Sequence, residues 1–141
     1  MTNSAITGLP TKLYALTLGT KNIAGQRSFY EGWGWKAVPY SSDEYVAFEL
    51  EGATISFFLT DKLGEEAAPG EPLPAEDAWN GTTLAATVAT KEDVDRVWQA
   101  ALDSGARKIG DPVDRFWGGR SGYIADPDGN RWEIAWVPPM G

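Results

Sequence analysis

The chain has no histidine and no cysteine in its 141 residues, and these absences close off most metal and nucleophile chemistry. Imidazole and thiolate hold zinc, copper and most catalytic iron or nickel, and imidazole is the usual general base near neutral pH. Zinc fingers, the common hydrolase triads, thiol nucleophiles and two-histidine metal centres are therefore excluded together. Carboxylate, hydroxyl, guanidinium and aromatic chemistry remain. Long hydrophobic runs are missing too. Nothing approaches the roughly 20 apolar residues of a membrane span, so no membrane partner is expected. Residues 1–12 have no apolar stretch of the signal-peptide type, and a cysteine-free chain fits a reducing compartment, so the expected location is the cytoplasm. Positive charge is also scarce. Twelve Lys and Arg against 20 Asp and Glu leave a net charge of −8, which repels the phosphates of nucleic acid. An acidic surface serves solubility, and it also favours cationic ligands.

What is present reads as one α+β domain with the same pattern written twice. Residues 13–18 (Leu-Tyr-Ala-Leu-Thr-Leu) alternate as a half-buried strand does. Asn22 is placed to cap a helix running through Trp33, with Ile23, Phe29, Tyr30 and Trp33 toward a core. Strands are expected over 44–50 and 53–60, joined by a turn at Glu51-Gly52. Residues 62–81 are polar and rich in Gly, Pro and Glu, the composition of a linker or mobile loop. The pattern restarts with a strand over 83–88, and Thr90 then caps a helix with Asp93 placed to return the bond. Val94, Val97, Trp98, Ala101 and Leu102 form one buried helix face, and Gly105 ends the helix. Strands over 119–125 and 130–137 flank an Asp126-Pro127-Asp128-Gly129 turn. The chain thus divides into repeat one (about 13–60), a linker (about 61–81) and repeat two (about 82–137), each repeat βαβββ-like. Helices on one face of a mostly antiparallel sheet leave the other face free to form a cleft.

Leu18-Gly-Thr-Lys-Asn-Ile23, then Ser28-Phe-Tyr-Glu31 and Gly34-Trp35, resemble the opening of the glyoxalase, bleomycin-resistance and extradiol dioxygenase superfamily, the vicinal oxygen chelate fold. Trp117-Gly-Gly, Gly122-Tyr123 and Asp126-Pro-Asp-Gly-Asn-Arg-Trp-Glu133 resemble its closing hairpin. The resemblance covers nearly the whole chain. It implies two βαβββ repeats in an incompletely closed mixed sheet around a cleft, and a homodimer in which strands of both copies enclose the site. Because that superfamily includes isomerases, dioxygenases, transferases and metal-free sequestering proteins, it names no single reaction. Its metal-dependent members take one ligand from the first and fourth strands of each repeat. The matching positions here are Ala15, Ser56, Thr83 and Glu133. One carboxylate among an alkyl group and two neutral hydroxyls is a poor ligand set, so neither a metal nor another cofactor is expected. Asp126-Pro-Asp-Gly-Asn130 has a superficial likeness to a calcium loop but lacks its spaced glycine and closing glutamate.

Strand alternation with Glu133 facing inward puts Arg131 and Ala135 beside it, and Ala15, Thr17, Ser56, Phe58, Thr83, Ala85 and Thr87 on the same cleft face. Seven tryptophans are many for this length. Trp33, Trp98, Trp132 and Trp136 fall on core positions, whereas Trp79 and Trp117 lie in polar segments, where stacking on an aromatic ligand or a subunit contact would account for them. Tyr123 offers a phenol near the mouth. Arg115, Arg120 and Arg131 serve either to bind a carboxylate or to pair with Asp111, Asp114 and Asp126. Asn80-Gly81-Thr82 has the form of a glycosylation acceptor and, in a chain read as cytoplasmic, is taken as chance. Three readings follow. The first is a binding protein that sequesters a small aromatic or cationic molecule, with Ala15, Thr17, Ser56, Phe58, Thr83, Ala85, Trp117, Arg120, Tyr123 and Glu133 around it. The second is a metal-free isomerase or lyase using Glu133 as general acid or base. The third is a non-catalytic interaction domain whose cleft is filled by its own side chains.

Overall fold

Two runs of alternating residues each build a sheet, and the large apolar members of both runs turn toward a shared interior. The computed structural model describes residues 7–76 and 78–139. Repeat one contains β1 (Ala15–Thr20), α1 (Ile23–Glu31), β2 (Tyr45–Leu50) and β3 (Ala53–Leu59). A helix, α2 (Thr60–Ala67), follows directly. Repeat two contains β4 (Thr83–Thr87), α3 (Asp93–Asp103), β5 (Arg107–Asp114), β6 (Arg120–Ala125) and β7 (Arg131–Trp136). The first sheet has the order β1-β3-β2 and the second β4-β7-β6-β5; in each, the first strand joins parallel and the rest are antiparallel. Where repeat one would carry a fourth strand there is a single antiparallel bridge, Ala37 to Phe48. The architecture is therefore two βαβββ-like units with open mixed sheets. Among the described residues no helix is long and apolar enough to cross a membrane.

The Asn22 cap forms, accepting from Gly25 N–H at 2.9 Å. Thr90 Oγ1 accepts from Asp93 N–H at 3.2 Å, but from the turn ahead of α3, whose N-cap is Glu92 with no side-chain cap bond. α1 ends two residues before Trp33, because Gly32 caps it and Gly34 takes φ +87° to turn the chain back. β1 runs two residues later than the alternation suggests, since Gly19 and Thr20 pair with Phe58 and Leu59 instead of breaking the strand.

Two elements were not legible in the sequence. Residues 60–67 are helical rather than part of a linker, and the helix lies against β1 and β3. Its start packs so closely that a Cβ on Gly19 would sit 2.8 Å from Thr60 Oγ1. Strand β5 was hidden by Gly110 and Pro112, which shift its register at an edge where proline is tolerated. Gly122 on β6 makes room there: a Cβ would meet Trp98 at 2.8 Å and Pro112 at 3.0 Å.

One hydrophobic cluster spans both repeats, with Phe29, Tyr30, Phe48 and Phe57 from the first and Trp98, Ile124, Trp132 and Ile134 from the second. Its polar centre is Asp126, which is 2% exposed. One carboxylate oxygen accepts from Gln26 Nε2 (2.9 Å), the Tyr30 hydroxyl (2.7 Å) and Asn130 Nδ2 (2.8 Å). The other accepts from the backbone N–H groups of Asp128 (2.9 Å) and Asn130 (3.0 Å). Trp132 Nε1 donates to the Tyr30 oxygen at 2.9 Å. A helix of repeat one is thereby bonded to the β6–β7 turn of repeat two. All these donors are neutral, and the calcium-loop likeness of this turn has no structural counterpart, because the carboxylate of Asp126 is fully engaged.

Two consequences are measurable. Asp126→Ala leaves three buried side-chain donors without their acceptor and should lower stability by about 3 kcal/mol or more in urea unfolding. Burial, reinforced by the Asp126 charge and hydrogen bond, pushes the Tyr30 hydroxyl far above the ordinary tyrosine value. The folded protein therefore keeps that proton while the unfolded chain releases it near pH ~10. The contribution is intact below that pH and is lost as pH rises beyond it. Tyr30→Phe should cost about 2 kcal/mol at neutral pH and flatten the alkaline fall in stability; an unchanged alkaline limb would contradict the assignment.

Candidate functional site

Because the helices and the large apolar side chains occupy one face of each sheet, the opposite faces point outward, and strand register orders what they carry. On the first sheet the rows across β1-β3-β2 are Ala15–Thr54–Glu49, Thr17–Ser56–Ala47 and Gly19–Phe58–Tyr45. On the second, across β5-β6-β7-β4, they are Arg107–Ala125–Arg131–Thr83, Gly110–Tyr123–Glu133–Ala85 and Val113–Ser121–Ala135–Thr87. Ala15, Thr17, Ser56 and Phe58 thus share one outward face, and Thr83, Ala85, Tyr123 and Glu133 share the other, in the phase read from alternation.

On the first face a hydroxyl pair, Thr17 Oγ1 to Ser56 Oγ at 2.7 Å, occupies the centre. Ser56 is 1% exposed, whereas Thr17 is open. Beside it lies an aromatic ladder: Tyr40 stacks on Tyr45 with ring centres 6.2 Å apart, and Tyr45 meets Phe58 edge-on at 6.2 Å. On the second face Tyr123 and Glu133 are register partners on neighbouring strands, and burial, with the Glu133 charge adding to it, raises the Tyr123 phenol above its usual value. Arg115 sits 5.5 Å from the Tyr123 ring centre and holds Ser121 through Nε to Oγ (2.9 Å) and Nη2 to the carbonyl (3.0 Å). Arg131, the expected neighbour of Glu133, turns away and donates to the Gly129 carbonyl at 2.7 Å. Thr83, Ala85 and Thr87 leave the β4 margin open and small-walled.

The expected ligand contacts Arg120 and Trp117 lie elsewhere. Arg120 faces the helix side, where Nε and Nη2 clamp Asp95 of α3 at 2.8 and 3.0 Å and Nη1 reaches Asp114 at 3.1 Å. Those carboxylates hold its guanidinium well above its ordinary value. Trp117 is 40% exposed in the β5–β6 turn, its ring laid over Gly119, where no Cβ would fit. Of the arginine pairings expected from sequence, Arg120–Asp114 forms, whereas Asp111 takes Lys108. Arg107, Arg115 and Tyr45 extend the outward faces. Alternation from Phe58 could have found Tyr45, but Arg107 was invisible while β5 went unread.

Three cavities are prominent, of about 370, 350 and 380 Å³. None is lined by Thr17, Ser56, Phe58, Ala85, Tyr123 or Glu133. At the positions where metal-dependent relatives place ligands, Ala15 has no donor, the Ser56 hydroxyl is paired with Thr17, Thr83 has a neutral hydroxyl and Glu133 alone has charge. This donor set does not fit a divalent metal centre.

The sequence matches the family model described as Glyoxalase/Bleomycin resistance protein/Dioxygenase superfamily over residues 12–134. Uncharacterised proteins of Mycobacterium bovis and Mycobacterium tuberculosis are 30% identical over 90 residues, 64% of this chain. The match takes in 56% and 50% of their lengths, so the chain spans about half of the curated relatives it matches. Among solved structures, a glyoxalase-related enzyme from Fulvimarina pelagi superposes with a TM-score of 0.79 at 27% identity, over 94% of each chain. A lactoylglutathione lyase from Agrobacterium tumefaciens superposes with a TM-score of 0.68 at 20% identity, over 90% of this chain and 94% of that one; at that identity the likeness shows the fold alone. The repeated βαβββ-like topology, the Asp126 turn and the family match agree, and the chain belongs to the glyoxalase/bleomycin resistance protein/dioxygenase superfamily.

Proposed function

We propose that the chain is a metal-independent small-molecule-binding protein of the glyoxalase/bleomycin-resistance type. It acts in the cytoplasm as a homodimer and sequesters an aromatic or cationic compound. The observation that carries this reading is the composition of the outward faces. One carboxylate, Glu133, stands among hydroxyls, alanines and aromatic rings, where a metal-dependent member would need further charged or imidazole donors. Tyr40, Tyr45 and Phe58 offer planar surface for stacking, and Glu133 with Tyr123 offers an anionic, hydrogen-bonding counterpart for a cation. A second copy supplies the missing wall of the site. The net charge of −8 favours a cationic ligand at long range.

A second reading has a specific observation in its favour. Arg131 donates to the Gly129 carbonyl rather than to Glu133, and a carboxylate not paired with its strand neighbour suits proton transfer in an isomerisation or elimination next to a carbonyl.

Protein stripped of metal by a chelator should show saturable quenching of tryptophan fluorescence with planar cationic aromatics. The ligand should be recovered intact by mass spectrometry, and the protein should sediment as a dimer. Chemical alteration of the ligand would favour the enzyme reading, and binding that appears only on adding zinc or nickel would overturn the metal-independent one. Glu133→Gln should weaken binding of cations by roughly tenfold, about 1.4 kcal/mol, while leaving neutral aromatics little changed. The same substitution removes the charge beside Tyr123. Its phenol should then ionise at lower pH than in the parent protein, as read by ultraviolet difference absorbance.

A further inference from the structure

Arg107 on β5 and Arg131 on β7 flank Ala125 on β6 in one row of the second sheet. Between them Ala125 is too small to keep their side chains apart. Both guanidinium groups converge over the turn: Arg107 Nη2 and Arg131 Nη1 lie 3.6 and 3.7 Å from the same point above Gly129. Arg131 Nη1 is spent on the Gly129 carbonyl at 2.7 Å; among the described residues its other donors and those of Arg107 have no hydrogen-bonded side-chain partner. Among the described residues neither arginine forms an ion pair, although the chain has an excess of carboxylates. Two like charges held this close repel one another unless an anion sits between them. Two carboxylates, Glu76 and Asp128, share the same pocket; Glu76 is bonded to Lys21, and burial raises the Asp128 carboxyl above its ordinary value.

The arginines open into the cavity of about 380 Å³, whose other walls include Trp79, Pro127 and Gly129. Trp79 is 56% exposed, and its indole N–H is tied to the Thr82 carbonyl at 2.9 Å, which fixes the ring while leaving its surface free. We propose that Arg107 and Arg131 form an anion-binding site that takes the carboxylate or phosphate of a compound whose planar ring covers Trp79. Guanidinium donors match the fork of an oxyanion, and an indole face suits an attached ring. The site lies at the hairpin end of the Glu133 face but needs neither Glu133 nor a second copy, so it stands or falls apart from the function proposed above.

The test uses the full chain with phenyl phosphate, inorganic phosphate and uncharged phenol as probes at constant ionic strength, followed by NMR of the arginine Nε–H and tryptophan indole signals. Phenyl phosphate should shift the signals of Arg107, Arg131 and Trp79 saturably. Inorganic phosphate should shift the two arginines alone, and phenol should shift neither arginine. Arg107→Gln should weaken phenyl phosphate binding roughly tenfold, and Glu133→Gln should leave it unchanged. Arg131→Lys, which retains charge but not the fork, guards against loss of the Gly129 bond through misfolding and should weaken binding while the urea midpoint holds. Unaltered binding in the Arg107→Gln/Arg131→Lys double variant would overturn the site. So would an absence of saturable shifts.

Discussion

The structure depends on one buried carboxylate. Asp126 draws Gln26 and Tyr30 of α1, Asn130 and two backbone N–H groups of the turn onto its two oxygens, with Trp132 behind Tyr30. A charge at 2% exposure would be costly without full hydrogen bonding, and here every donor is neutral. The arrangement is therefore specific in geometry. It needs α1, the turn and β7 in one relative placement, and the rings stacked around Tyr30, namely Trp35 at 5.1 Å and Phe57 at 5.3 Å, fill the space beside it. Among the described residues Gln26 Oε1 has no partner, a further sign that the cluster is organised around the acid.

With the repeats joined through their helix sides, the two sheets turn their other faces outward. This placement bears on function more than any single residue does. It puts Thr17, Ser56 and Phe58 on one face and Ala85, Tyr123 and Glu133 on another. The small residues Ala15, Ser56 and Thr83 are compatible with the fold, because the large core side chains come from the opposite phase of the strands: Leu16 and Leu18, Ile55 and Phe57, Trp132 and Ile134. Site chemistry and stability are thus carried by alternate residues of the same strands, and one set can change with little effect on the other.

The parts legible in the sequence were those with strong local physics. Period-two alternation placed the outward and inward faces of β1, β3, β4 and β7. Asn22 and Gly105 marked helix ends through their capping chemistry, and Asp-Pro-Asp-Gly marked its turn. The parts that escaped depend on tertiary contact. α2 contains Gly64 and has no apolar stripe of its own; it is held by β1 and β3, with Leu73 folded back so closely that a Cβ on Gly64 would lie 2.8 Å from its methyl group. β5 carries Gly110, Asp111 and Pro112 and pairs only because Gly122 admits Pro112. Arg120 reaches Asp114, a pairing open from the sequence, but its other partner, Asp95 in the first turn of α3, depends on the packing of that helix against β6 and has no local signal.

The central claim is that the outward faces, not the helix side, hold a ligand without a metal. The competing location is the apolar cleft of about 350 Å³ lined by Trp33, Trp35, Trp132 and Val97. The most direct measurement is a backbone amide shift map of chelator-treated protein saturated with a planar cationic aromatic found to bind it. The account predicts perturbations centred on Thr17, Ser56, Phe58, Ala85, Tyr123 and Glu133, with Trp33 and Val97 unmoved. Perturbations centred on Trp33, Trp35 and Val97 would contradict it.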